Sequence, residues 1–129
     1  MSKKSETTIQ EKMLYKGRVL TYYVNDVICP NGEKSVREIV THPGGVCILP
    51  LLDGKIILEK QYRYPFQKEI LELPAGKLEK GEDPLLAAKR ELEEETGYRA
   101  TEMISLGEMY PSVGYTNEVI HLYAAEKLI

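Results

Sequence analysis

One segment of this chain limits the choice of fold more than any other: LLAAKRELEEET, Leu85–Thr96, whose apolar residues recur at helical spacing. Asp83 suits the cap that precedes a helix, and Pro84 suits its first turn, where a missing amide proton costs nothing. Gly97 suits the left-handed position that ends one. Residues three and four apart share a helix face, so Leu85, Ala88 and Leu92 form an apolar stripe expected to pack on a sheet.

The remaining segments read as strands. RVLTYYVNDV (Arg18–Val27) is rich in β-branched and aromatic residues, and SVREIV (Ser35–Val40) follows across PNGE, which predicts a hairpin. VCILPLL ends at Leu52, Asp53–Gly54 turns the chain, and KIILEKQYR (Lys55–Arg63) is expected to pair with it as one strand. EILEL (Glu69–Leu73) is a short strand stopped by Pro74, and PAGKLEKGE (Pro74–Glu82) reads as a loop. ISLGEMY and EVIHLYAAE supply two further strands around the loop PSVGYTN. The first ten or so residues are polar and expected to be loosely ordered. Many strands around one long helix predict a mixed α/β domain rather than a pure sandwich.

With 129 residues the chain is long enough for one domain with a modest core. No apolar run approaches the roughly 20 residues that cross a bilayer, and MSKKSETTIQ has no apolar segment behind its lysines. The expectation is therefore a soluble cytoplasmic protein. Cys29 and Cys47 match no metal spacing and are expected to be reduced. A net charge of -3 argues against nonspecific nucleic-acid binding, which needs a basic footprint. It leaves room for a small anionic substrate, because a bound cation inverts the local sign of an acidic pocket.

The chemistry is concentrated on the helix. Glu91 and Glu95 lie one turn apart, so their carboxylates reach a common point beside Glu94. Without a counter-ion this pair repels by about a few tenths of a kcal/mol. Glu93, Glu94 and Glu95 also crowd the negative end of the helix dipole, at roughly 0.3–1 kcal/mol per charge. Lys89, one turn before Glu93, is the obvious relief on the surface, and a divalent cation would relieve the other side. Oxygen-rich sites of this kind suit magnesium or manganese, which also bind phosphates. The bland alternative is a solvated glutamate-rich surface.

The loop upstream decides between them. GKLEKGEDPLLAAKRELEEETGY, Gly76–Tyr98, resembles the signature of the Nudix hydrolases at Gly76, Glu82, Arg90, Glu91, Leu92, Glu94, Glu95 and Gly97. The resemblance implies a Nudix-like α/β/α sandwich with a mixed sheet and an N-terminal antiparallel strand region. It also implies metal ligation by Glu91, Glu95 and the Ala75 carbonyl, with Glu94 a further ligand or a supporting partner. Gly76 would let the chain turn tightly after Leu73 and bring the backbone near the metals. Glu82 and Arg90 would pair to orient loop and helix, a contact worth little in stability when partly exposed.

Beyond the signature, VREIVTHPGGV, LEKQYRYP, EILELPAGKLEKGE and MYPSVGYTNEVIHLYAAE resemble the ADP-ribose pyrophosphatase branch. That resemblance implies magnesium-dependent hydrolysis of ADP-ribose to AMP and ribose 5-phosphate, with manganese as a substitute. Arg63 would hold the diphosphate, and Arg37 and Glu38 would meet substrate near a two-fold interface of a homodimer. Tyr22 or Tyr23 would lie near the adenine, or else serve as strand packing. Glu118 either acts on the attacking water or is an exposed strand-start carboxylate. A metal-bound water needs no strong protein base, because the cation already lowers its pKa. Residues 1–43 would form the strand region for dimerisation and substrate contacts, and residues 44–129 the catalytic core.

Two departures bear on this reading. Ser112-Val113-Gly114 stands where the branch often carries Ser-Pro-Gly, which weakens the substrate assignment more than the reaction. Relatives also continue past the strand that here ends near Ile129, so a C-terminal helical layer is expected to be missing from this chain. The rival readings are hydrolysis of another nucleoside diphosphate sugar or a dinucleotide, a nucleotide-binding protein without turnover, and a structural domain. His42 and His121 are expected in a turn and a strand respectively, without a zinc or acid/base role.

Overall fold

Turn chemistry sets the strand pattern of the computed structural model, which describes residues 4–129. The chain divides into two units, one holding the residues up to Pro43 with Tyr110–Glu118, the other holding Gly44–Met109 with Val119–Ile129.

The first unit is an antiparallel sheet of β1 (Thr7–Gln10), β2 (Met13–Lys16), β3 (Thr21–Ile28) and β4 (Lys34–Thr41). β3 and β4 form the hairpin expected across Pro30–Glu33. Gly32 takes φ +86°, a value that favours glycine, and Asn31 Oδ1 accepts the Glu33 N–H at 3.0 Å. The N-terminal residues depart from expectation. Thr7–Gln10 are not loose but pair with Asp26–Ile28 of β3, because that edge of β3 still carries open backbone groups after β4 takes the other. The segment Tyr110–Glu118 is tied to β4 by the Val40 N–H donating to the Tyr115 carbonyl at 2.7 Å and by a parallel bridge to Thr116.

In the second unit β5 (Gly45–Leu52) is the central strand. It is followed by β6 (Lys55–Ile56), β7 (Glu59–Arg63), β8 (Lys68–Glu72), β9 (Ala75–Lys77), the helix α1 (Pro84–Thr96), β10 (Ala100–Met109) and β11 (Ile120–Leu128). β11 lies parallel to β5 while β10, β9 and β6 pair antiparallel, so the sheet is mixed as expected. Asp53 and Gly54 make the β5–β6 turn with φ of 51° and 73°.

Two expectations need correction here. Lys55–Arg63 is not one strand, since the ladder on β5 ends at Ile56 and Glu59–Arg63 pairs instead with Lys68–Glu72. The reason is competition for one edge. Gly45–Cys47 of β5 are already taken by Ala75–Lys77, and the Ile48 N–H by the Pro74 carbonyl at 2.9 Å. Hence Pro74–Glu82 is not all loop, because its first residues form β9.

α1 is capped as the sequence requires. Asp83 Oδ2 accepts from the Leu86 N–H at 3.1 Å, and Gly97 at φ 79° sends its N–H to the Glu93 carbonyl at 2.9 Å. Ala87, Ala88 and Leu92 are buried against Val46, Ile48 and Ala125. The stripe is shifted from the expected one, with Ala87 replacing the half-buried Leu85. Small residues there bring the helix close to β5, and β9 is packed beneath it. No second helix occurs among the described residues, and none of their helices is long and apolar enough to cross a membrane.

Candidate active site

Packing α1 on β5 and β9 places the signature glutamates over a three-residue strand. Val46 pairs with Gly76 and Cys47 with Ala75, so β9 is fixed in register beneath the helix. Glu95 Oε2 accepts the Ala75 N–H at 3.3 Å. A Cβ built on Gly76 would stand 2.1–2.6 Å from the Glu91 carboxyl atoms. The requirement for glycine is therefore space, not turn geometry: Gly76 lies within a strand and has no positive φ. This replaces the expectation of a tight turn.

The electrostatics are those of an acidic site short of positive charge. Burial pushes the Glu95 carboxyl up to about 8, with the neighbouring Glu59 carboxyl and then Glu91 adding to the rise and the Ala75 N–H opposing it. Folding thus favours the protonated form of Glu95. Its contribution to stability is fully present below the ordinary value of 4.5 and is lost as pH rises toward 8. Glu6, Glu72 and Glu82 act in the opposite sense, since arginine hydrogen bonds hold each of them below the ordinary range.

Arg90 supplies positive charge on the side of Glu91 and Glu94. Its Nε and Nη2 each donate to Glu82 at 3.0 Å, and its Nη1 reaches Glu91 at 2.9 Å and Glu94 at 3.3 Å. Glu82 also accepts the Glu79 N–H at 3.1 Å, so one guanidinium ties the loop to the helix. Glu94 is the more exposed of the helix partners of Arg90. No three acidic, histidine or cysteine side chains among the described residues converge into a metal cage by themselves. The donor set still suits a divalent cation. Glu95 and Glu59 share a contact that two ionised carboxylates would not keep, and Glu91 closes over a backbone with no side chain in the way.

Arg63 joins the same unit's acidic cluster. Its Nε and Nη2 donate to the two Glu72 oxygens, each at 2.6 Å, and Glu59 and Glu95 add weaker attraction. Glu59 and Glu72 were missed in the sequence. The only available signal was two carboxylates spaced to face each other across a hairpin that the one-strand reading of Lys55–Arg63 had removed.

In the first unit, Tyr22 donates its hydroxyl proton to Glu38 Oε1 at 2.6 Å, and Arg37 forks onto Glu6 at 2.9 and 2.6 Å. Adjacent strand residues face opposite sides, so Arg37 and Glu38 point away from each other. The β3–β4 register puts Tyr22 on the Glu38 side and Tyr23 on the Arg37 side. Glu118 lies 3.6 Å from His42 Nδ1 and sends its N–H to Thr116 Oγ1 at 3.2 Å. Val113 is 83% exposed, so its side chain serves no packing role in the loop.

The chain matches the NUDIX domain over residues 41–128. It is 49% identical over 129 residues to an ADP-ribose pyrophosphatase of Bacillus subtilis, covering 99% of this chain and 70% of that one. A methanol dehydrogenase activator of Bacillus methanolicus is 50% identical over 124 residues, covering 95% of this chain and 67% of its own. A crystal structure of an ADP compounds hydrolase superposes with a TM-score of 0.88 at 26% identity, covering 100% of this chain and 71% of that one.

Proposed function

This chain belongs to the Nudix family, and from that premise we propose that it hydrolyses ADP-ribose to AMP and ribose 5-phosphate with magnesium. The observation that carries the reading is the Glu95 carboxyl, half-buried beside Glu59 and Glu91 and pushed up to about 8 by burial and by those two carboxyls. Glu91, Glu95 and the Ala75 carbonyl would hold the metal, with Glu94 as a further ligand or partner and manganese as a substitute. When bound, such a cation neutralises the diphosphate and lowers the pKa of its water. The reaction transfers a water oxygen to one phosphorus, breaks one P–O bond of the diphosphate, and releases two monophosphates.

The chain's own residues would do the rest. Arg63 orients a phosphate through charge-assisted hydrogen bonds. Arg90 and Glu82 keep the loop and the glutamate face in one arrangement. Glu118 is assigned to the attacking water, and Tyr22 or Tyr23, Arg37 and Glu38 to the nucleoside, by the resemblance to the branch. A cytoplasmic homodimer belongs to the same reading. It is supported by the exposed apolar side chains Ile9, Met13, Leu14 and Tyr15 on the N-terminal strands, some of which association would cover. Residues 1–43 would supply that interface and the nucleoside contacts, and residues 44–129 the catalytic core.

A panel of ADP-ribose, other nucleoside diphosphate sugars and dinucleotides tests the substrate. With magnesium, kcat/KM for ADP-ribose should exceed the others by roughly tenfold or more, a difference of about 1.4 kcal/mol in transition-state binding. AMP and ribose 5-phosphate should appear in equal amounts. A larger kcat/KM for another substrate would move the assignment to that compound, and no magnesium-dependent product at all would overturn the enzyme reading.

A further inference from the structure

Arg63 is gripped within its own unit, and the grip has a direction. In the β7–β8 ladder Arg63 pairs with Lys68 and Glu72 with Glu59. Side chains alternate along strands, so Arg63 and Glu72 share one face of the ribbon, and the arginine must run back along that face to reach the carboxylate. It does so with its Nε and Nη2, each 2.6 Å from a Glu72 oxygen, a two-point contact that fixes the plane of the guanidinium. A guanidinium carries its five N–H groups in a rigid fork. Glu72 takes the edge formed by Nε and Nη2, which leaves the edge formed by Nη1 and Nη2 in a set plane.

The surroundings explain why such a grip is needed. Glu59 and Glu95 both attract Arg63; Glu95 is assigned to the metal, and Glu59 lies beside it. An arginine released from Glu72 would be drawn onto those carboxylates, where it would oppose cation binding and turn its fork away from a phosphate. Glu72 is the less exposed partner, with a side chain 21% accessible against 41% for Arg63, so the carboxylate is the anchored end and the arginine the presented one.

We propose that Glu72 is a positioning residue, which holds Arg63 off the metal-binding carboxylates and presents its remaining edge to a phosphate of the substrate. This rests on the reading that Arg63 binds the diphosphate. Glu72 itself touches neither substrate nor metal in this account.

The test is a double-mutant cycle of Glu72→Ala and Arg63→Ala, with KM and kcat for ADP-ribose measured at saturating magnesium and the thermal midpoint recorded for each variant. Glu72→Ala should raise KM roughly tenfold while kcat stays within about threefold, and it should add less than about twofold when Arg63 is already alanine. Glu72→Gln keeps one carbonyl acceptor for the arginine, so it should fall between wild type and alanine, with KM raised about threefold. The Gln variant carries the measurement if the alanine variant does not fold. A mere staple of the hairpin would lower the thermal midpoint and the active fraction without changing KM. An unchanged KM in Glu72→Ala, or the same KM change in both backgrounds, would overturn the inference. If Arg63→Ala leaves KM unchanged, the reading of Arg63 falls and takes this inference with it. If Arg63→Ala raises KM and Glu72→Ala does not, only the role of Glu72 falls.

Discussion

Glu95→Gln is expected to lower turnover of ADP-ribose at least roughly 100-fold while leaving the fold intact, because it removes a ligand charge from transition-state stabilisation rather than a packing contact. The substitution is nearly isosteric. An amide oriented with its oxygen toward Ala75 can still accept the backbone N–H that Glu95 accepts at 3.3 Å. It also removes a carboxyl that burial and Glu59 already resist ionising, so the metal-free variant should be at least as stable as wild type near neutral pH. Kinetics at saturating magnesium with a parallel thermal melt would check both halves. Near-normal turnover would refute the metal assignment.

Gly76→Ala is expected to do comparable damage by a different route. Gly76 lies in β9 with no positive φ, so alanine fits the backbone there. The added methyl would meet the Glu91 carboxyl at 2.1–2.6 Å, and a flexible side-chain tip yields more readily than a strand paired to Val46. Glu91 should therefore swing away while the sheet persists. A misplacement of about 1 Å at a catalytic group costs on the order of 100-fold in rate. The expected result is a drop of that order in kcat, weaker manganese binding, and a thermal midpoint within a few degrees of wild type. Normal kcat, or global unfolding, would show that Gly76 is not a cradle for Glu91.

Much of this was legible in the residues. The helix from Pro84 to Thr96, with its Asp83 cap and Gly97 stop, follows from local chemistry, since caps and periodicity need no distant partner. The hairpins at Asn31–Gly32 and Asp53–Gly54 were legible for the same reason. What escaped depended on competition between segments. Whether Lys55–Arg63 stays on β5 depends on Ala75–Lys77 claiming that edge first, and no local pattern records such a claim. Thr7–Gln10 read as loose because its four residues are polar save Ile9, and only the open edge of β3 recruits them. In the candidate site, helix geometry put Glu91 and Glu95 within reach of a common point, and the resemblance over Gly76–Tyr98 singled them out. Glu59 and Glu72 could not be found in this way, because their place beside Glu95 and Arg63 is set by the β7–β8 register. The Arg90–Glu82 pair was legible from the resemblance, but not that the same broad fork also spans Glu91 and Glu94.

Metal binding at this site requires a cation to take the place of a proton, since burial and the Glu59 carboxyl push Glu95 up to about 8. Calorimetric titration of manganese into the protein at pH 7, repeated in buffers of different ionisation heat, counts the protons released on binding. With Glu95 held near 8, close to one proton should leave per cation bound at this site, and the release should vanish in Glu95→Gln. Manganese binding that frees no proton, or that frees the same number in the variant, would contradict the account.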